Sequence, residues 1–419
     1  MGLHYTGGDM FEKLQQLSHQ FLEIKDSPYK RYFINTEKLS HRMSIIIGQR
    51  GVGKTTTLIQ ILLDFVDGDR FDPRILYIQA DHFLMGSTSL YEIAEQFQIH
   101  GGKWIVFDEI HKYPNWSKEL KSIYDTFPKL TILASGSSAL QIYKGSHDLT
   151  RRASVHKMQG MSFREYLELT HQLKLPVYEL KEICANHEKL GSVIIKELQK
   201  KGKNIIPEFH RYLKTGYYPY FFEINDEAIY KITLEQNVHA TIESDLAAIY
   251  PQLTGSSIHK IKRLLIFISN AVPFMPNWND IKAVVEVGDL RTLKTYFSHL
   301  EDAGLIQSIP KSTKKFSALE SPSKIYLENS NQLYAISSET PNKGTVRETF
   351  FLNMVSQKHT VTLPINGDFL LDNEYLFEVG GKNKNFQQIK TEKNSYVVSD
   401  DIEQGIRSKI PLWLFGFLY

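Results

Sequence analysis

The sequence predicts an α/β fold: a three-layer core of parallel sheet between helices, then a helical segment, a three-helix segment and a small α/β end domain. Three observations carry this. Between Met43 and about Met158, short apolar runs alternate with amphipathic stretches. The glycine-rich GQRGVGKT follows the first of those runs and leads into an amphipathic stretch, and WIVFDEI ends a later run in two carboxylates. Alternation of this kind is the signature of a parallel sheet whose crossover helices cover both faces.

In chain order, MSIIIG precedes a helix from Lys54, RILYIQAD a helix near Ser89, KWIVFDE a helix from Trp116 to Phe127, and KLTILASGSS a helix from Ala139 onward. With a helical extension at the N-terminus, residues 1–165 form the core. After SFREYLEL the strand pattern disappears, and residues 166–254 read as a helical lid with LKTGYYPYFFE as an aromatic loop. Residues 255–330 read as three short helices. In the third, Leu293, Tyr296, Phe297 and Leu300 share a face, Asp289 can cap the start, and Gly304 fits the end before LIQSIPKS turns extended, a winged-helix pattern. Residues 331–419 read as a helix, TVRETFFLNMVSQ, followed by three or four strands.

Composition narrows the class without naming it. At 419 residues and 42% hydrophobic content the chain can build several cores, and 49 Lys and Arg against 47 Asp and Glu leave a net charge of +2. Any nucleic-acid affinity must therefore come from local patches. Cys184 is the only cysteine, which excludes an internal disulfide and cysteine-pair zinc sites and suits a reducing cytoplasm. The 15 histidines show no ligand-like spacing. The most apolar runs fall short of the roughly 20 residues a membrane span needs, and no membrane partner is expected.

GQRGVGKT, Gly48 to Thr55, fits a Walker A loop because a strand precedes it and a helix follows. The backbone N–H groups of Gly48, Gly51, Val52, Gly53, Lys54, Thr55 and Thr56 would curl around phosphates at a helix N-terminus. Lys54 would reach the β and γ phosphates of ATP, and Thr55 would hold Mg²⁺. In WIVFDEI, Asp108 would orient the Mg²⁺ water shell and Glu109 would activate the attacking water. The alternative is a solvated strand end. LTILASGSS ends in Ser135, Ser137 and Ser138, where a γ-phosphate sensor would sit, with Ser137 the candidate and turn chemistry the alternative. Arg151 and Arg152 precede the next strand. Arg152 is the candidate for meeting transition-state charge, in its own site or a neighbouring subunit's, and an ion-paired edge is the structural alternative.

Together GQRGVGKTT, WIVFDEIHKYPNW, ILASGSSA, RRASVHKMQGMSFREYL and TGYYPYF resemble the predicted AAA+ superfamily ATPases of bacteria and archaea. The resemblance spans nearly the whole chain. It implies an AAA+ core whose Walker A and B strands are separated by a sensor strand, then a winged helix and a C-terminal domain of unknown function resembling the PD-(D/E)xK nuclease fold. The closing PLWLFGFLY looks like that family's last strand. Lys54, Thr55, Asp108 and Glu109 match its motifs residue for residue.

A PD-(D/E)xK centre needs an Asp on one strand and Glu-x-Lys on the next, so that Glu and Lys face one metal. In GDFLLDNEYLFEVGGKNKN, Asp368 or Asp372 is the first carboxylate, Glu378 the second, and Glu348 on the preceding helix an auxiliary ligand. The position two beyond Glu378 is Gly380. Lys382 would share the face only if the strand ran on through Gly380 and Gly381, so a degenerate nuclease fold that binds without cutting is the expectation, with an active nuclease and an unrelated fold as the alternatives. Arg291 and Lys294 on the third helix, with Lys311, Lys314 and Lys315 beyond, could contact DNA phosphates. Intramolecular packing is the alternative. The expected activity is Mg²⁺-dependent ATP hydrolysis driving a switch. Its output is either DNA, through the winged helix and end domain, or a protein partner; self-assembly is left open.

Overall fold

The computed structural model describes residues 7–25, 27–39, 41–136, 149, 151–271, 273, 277–311, 324–390 and 392–419. The chain forms two compact units. Met1–Gln159 and Ser244–Pro251 make the first, and Gly160–Glu243 with Gln252–Tyr419 the second.

In the first unit, strands β1 (Met43–Ile47), β2 (Ile75–Gln79), β3 (Trp104–Asp108), β4 (Thr131–Gly136) and β5 (Ser154–Lys157) form one sheet in the order β2-β3-β4-β1-β5, every pair parallel. All five residues of β1 are buried. That is why the strand reads as an apolar run broken only by Ser44, whose hydroxyl pairs with that of Ser154: both faces are covered, so no polar alternation survives. Helices α1 (Gly7–Lys25), α2 (Tyr32–Thr36), α3 (Lys54–Asp64), α4 (Leu90–Ile99) and α5 (Trp116–Thr126) surround it. Ile93 and Phe97 of α4 and Leu120 and Ile123 of α5 join Ile45, Leu76, Phe107 and Ile132 in one core. Ser89 and Glu92 close a reciprocal capping box at the start of α4. β1 and β3 run parallel on either side of β4, so the glycine loop after β1 and the carboxylates Asp108 and Glu109 at the end of β3 open at the same end of the sheet, flanking the end of β4.

The second unit starts with the helices Phe163–His171, Leu180–Gln199, Ile205–Thr215 and Glu227–Ala240. Three more follow, Gly255–Ala271, Trp278–Val285 and Leu290–Asp302, ahead of the antiparallel pair β6 (Ile306–Ile309) and β7 (Lys324–Leu327). The Asp289 carboxylate caps the third helix by accepting from Thr292 N at 2.8 Å, and Gly304 ends it with a positive φ of 68°. Lys314 and Lys315 lie outside the described residues. Arg291 and Lys294 are exposed.

Helix Lys343–Val355 leads into strands β8 (Val361–Thr362), β9 (Phe369–Leu371), β10 (Tyr375–Gly380), β11 (Ser395–Ser399) and β12 (Lys409–Pro411). β8, β9 and β10 form an antiparallel meander, and β11 and β12 add to it in parallel. The closing PLWLFGFLY departs from the expected strand. Only Pro411 lies in β12, and Leu412–Phe417 form a 3₁₀ helix. Pro411 has no N–H to extend the ladder, and every residue from 411 to 419 is buried. Coiling lets Phe415 pack on Phe351 and Phe377, with ring centroids 4.8 and 5.6 Å away.

Candidate functional site

Close backbone approach shapes the glycine loop. A Cβ on Gly48 would sit 2.3 Å from the Met158 carbonyl oxygen, so only glycine fits where β1 ends. Gly53 caps α3 with φ at 98°, a conformation that other residues adopt at a cost. Val52 is fully buried, and its carbonyl accepts from Arg31 Nη1 at 2.5 Å; Arg31 Nη2 also donates to Gln159 O at 2.9 Å. Lys54 opens α3, buried, with Nζ donating to Gly48 O and Gln49 O, each at 2.9 Å. Burial pulls its pKa below the ordinary lysine range, while Glu109, Asp108 and Asp245 oppose the shift.

Asp108, at the end of β3, is the hub. Its Oδ2 accepts from the Thr55 hydroxyl at 2.6 Å and from the Tyr77 hydroxyl at 2.6 Å, and its Oδ1 accepts from Ser135. Burial and the Asp108 charge push the Tyr77 pKa far up, so Tyr77 is a neutral donor throughout the physiological range. A hydroxyl and a carboxylate side by side are the hard oxygen donors that Mg²⁺ takes, and Thr55 and Asp108 fit that role. Glu109 follows in the left-handed region, φ 52°, with its N–H shared between Asp108 Oδ1 and Ser135 Oγ at 3.1 Å each. Holding a glutamate there costs on the order of 1 kcal/mol or more.

Sequence reading missed four residues here, Arg50, Asp245, His111 and Tyr77. Arg50 Nη2 meets Asp245 Oδ1 at 2.8 Å, and the buried His111 Nε2 lies 3.6 Å from Glu109 Oε2 and 3.7 Å from Asp245 Oδ1. Burial works against the Arg50 charge, but the Asp245 hydrogen bond and the nearby Asp245, Glu109 and Asp81 charges more than restore it, so its pKa is raised. Tyr77 was read only as an apolar strand residue, and Asp245 lies some 135 residues from Glu109 in a helical stretch. No spacing links it to the loop.

In the second unit, Glu348, Asp368 and Glu378 come within electrostatic reach of one another. Burial, then Glu348 and Glu378, push Asp368 up to about 6, against the Val379 N–H that donates to it at 2.8 Å. Glu348 accepts from Lys324 Nζ at 2.8 Å and from Tyr326 Oη at 2.7 Å. Asp372 turns elsewhere, to His359 Nδ1 at 2.6 Å. The lysine at this cluster is Lys384, ion-paired with Glu378, whereas Lys382 is exposed. The reason is the glycine pair. β10 stops at Gly380, a turn closed by Lys384 N donating to Gly381 O at 2.9 Å folds the chain back, and the Lys384 stem crosses the face where Gly380 has no side chain. Elsewhere in the unit His210, Asp400 and Asp401 gather, but the Arg347 guanidinium already holds both aspartates, at 2.9 and 3.2 Å.

A family model described as an AAA domain matches residues 40–167, which hold the glycine loop, Asp108 and Glu109. Over those residues the chain carries an AAA domain. A second family model, a domain of unknown function, matches residues 206–341. An uncharacterized protein of Methanocaldococcus jannaschii is 29% identical over 220 residues, which are 50% of this chain and 44% of that protein. The chain thus spans less than half the length of that relative. A second uncharacterized protein of the same organism is 23% identical over 357 residues, 84% of this chain and 72% of its own. Among solved structures, the Walker-type ATPase of Pyrococcus abyssi is 12% identical and is covered to 96% by an alignment spanning 78% of this chain, with a TM-score of 0.37.

Within the AAA domain, Ser137 lies outside the described residues. Arg152 makes the ion pair that the structural alternative expects, with Nε and Nη2 donating to Asp125 at 2.8 and 2.9 Å. Among the described helices none is long and apolar enough to cross a membrane.

Proposed function

We propose that the chain is a Mg²⁺-dependent ATPase of the AAA+ type, a nucleotide-driven switch whose output is on DNA. What supports the hydrolytic reading above all is Glu109, a carboxylate held in a strained backbone conformation directly after the Mg²⁺-type donor Asp108. Lys54 binds the β and γ phosphates and stabilises the charge that builds on them. Thr55 and Asp108 would hold Mg²⁺, which would screen the charge of the phosphate oxygens. Tyr77 and Ser135 fix the Asp108 carboxylate, and Glu109 takes a proton from the attacking water. Titration with a fluorescent ATP analogue tests the assignment: Lys54→Ala loses binding, while Glu109→Gln binds as the wild type does. Equal binding by Lys54→Ala would contradict the role given to the lysine.

A second reading is favoured by Lys384. A lysine paired with Glu378 beside Asp368 supplies the group whose absence made cutting unexpected from the sequence. On this reading the end domain cleaves DNA with Mg²⁺ or Mn²⁺, and the output is chemical as well as mechanical. Nicking of linear, circular or single-stranded DNA that is lost in both Glu378→Ala and Lys384→Ala, with ATP turnover intact, supports it. No cutting by the wild-type protein with either metal would set this reading aside.

A further inference from the structure

Asp245 sits at the end of the π-helical turn Thr241–Asp245, 1% exposed, and contacts the nucleotide site from a place that no motif marks. π turns are rare, and they recur at functional sites because the extra residue re-aims the side chains after it. Here the side chain reaches Arg50, inside the glycine loop, and His111, whose ring is fully buried. The same His111 Nε2 lies between the Asp245 and Glu109 carboxylates. At 3.6 and 3.7 Å these are ion-pair-range contacts, and they set the imidazole against both acids. The result is one connected row: Arg50, Asp245, His111, Glu109.

The row has its own chain logic. Residues 244–251 belong to the first unit, while the chain on either side of them belongs to the second. Asp245 is therefore the acidic group that the intervening excursion returns to the catalytic centre. Breaking a hydrogen-bonded ion pair whose acid is buried leaves an uncompensated charge, so the pair holds Asp245 and Arg50 together.

We propose that Asp245 is a positioning residue of ATP hydrolysis: it fixes Arg50 at the phosphate loop and, through His111, sets the direction of the Glu109 carboxylate. This rests on the hydrolytic reading above. It does not touch the attacking water, so its removal misaligns the base without removing the phosphate grip of Lys54. The loss then falls on kcat and spares KM.

Steady-state ATP turnover and nucleotide titration of Asp245→Asn test it. The expected result is a kcat lower by about tenfold or more with KM within about threefold. In the Glu109→Gln background, Asp245→Asn adds nothing further, because the two act through one group. Arg50→Gln, at the more exposed end of the pair, is the second variant, which leaves the buried turn intact, and it gives the same split. A kcat within twofold of wild type in both variants, or a loss of nucleotide affinity that matches the loss of kcat, would overturn the assignment and leave ATPase activity standing. A wild-type protein that binds ATP without turning it over would overturn the hydrolytic reading itself, and this assignment with it.

Discussion

Asp368 shows how single charges record the purpose of a site. A carboxyl raised to about 6 binds its proton more tightly in the folded protein than in the unfolded chain. Its ionisation therefore opposes folding. The penalty is absent below the unfolded value near 4, grows as pH rises through about 6, and is complete above that. Asp368→Asn removes it. Thermal or denaturant melting at pH 8 should find the variant more stable than wild type by about 1–2 kcal/mol after allowance for partial exposure, and the two should coincide near pH 4. A variant no more stable at pH 8 would mean that the three carboxylates do not repel one another as described. At this scale the sequence was legible where a motif fixes the spacing, as at Lys54, Thr55, Asp108 and Glu109. It was not legible where a turn brings a residue back: Lys384 was passed over for Lys382 because strand periodicity says nothing about a chain that reverses after Gly381.

Elements carry the next level of the argument. The glycine loop works as an element because β1 ends against the Met158 carbonyl and α3 begins at a left-handed Gly53. Gly48→Ala should push the loop away from its place, since the added carbon would lie 2.3 Å from a backbone oxygen that has no rotamer to escape into. Nucleotide affinity should fall by about tenfold or more, and stability by roughly 1–3 kcal/mol, the usual scale of overpacking. Nucleotide titration and melting check this, and a variant with wild-type affinity would show that the loop shifts freely. Apolar runs made β1 to β4 readable, because a strand buried on both faces needs no polar residue. The resemblance misjudged PLWLFGFLY as a closing strand: burial on all sides is equally met by a 3₁₀ coil, and an apolar run cannot separate the two.

On the scale of the whole molecule, the AAA domain is the part whose chemistry the residues define most fully. Its sheet order puts β4 between the two motif strands, so that Ser135 reaches Asp108, and the excursion that ends at Asp245 brings a distant acid to the same place. The first could be foreseen from alternating runs and a resemblance. The second could not, because only the folded path joins residue 245 to residue 109. The most direct test of the whole account is phosphate release from ATP with Mg²⁺, measured side by side for wild type and Glu109→Gln. The account predicts steady turnover by the wild type and a loss of about 100-fold or more in the variant, with nucleotide binding retained. Turnover by Glu109→Gln at the wild-type rate would contradict it.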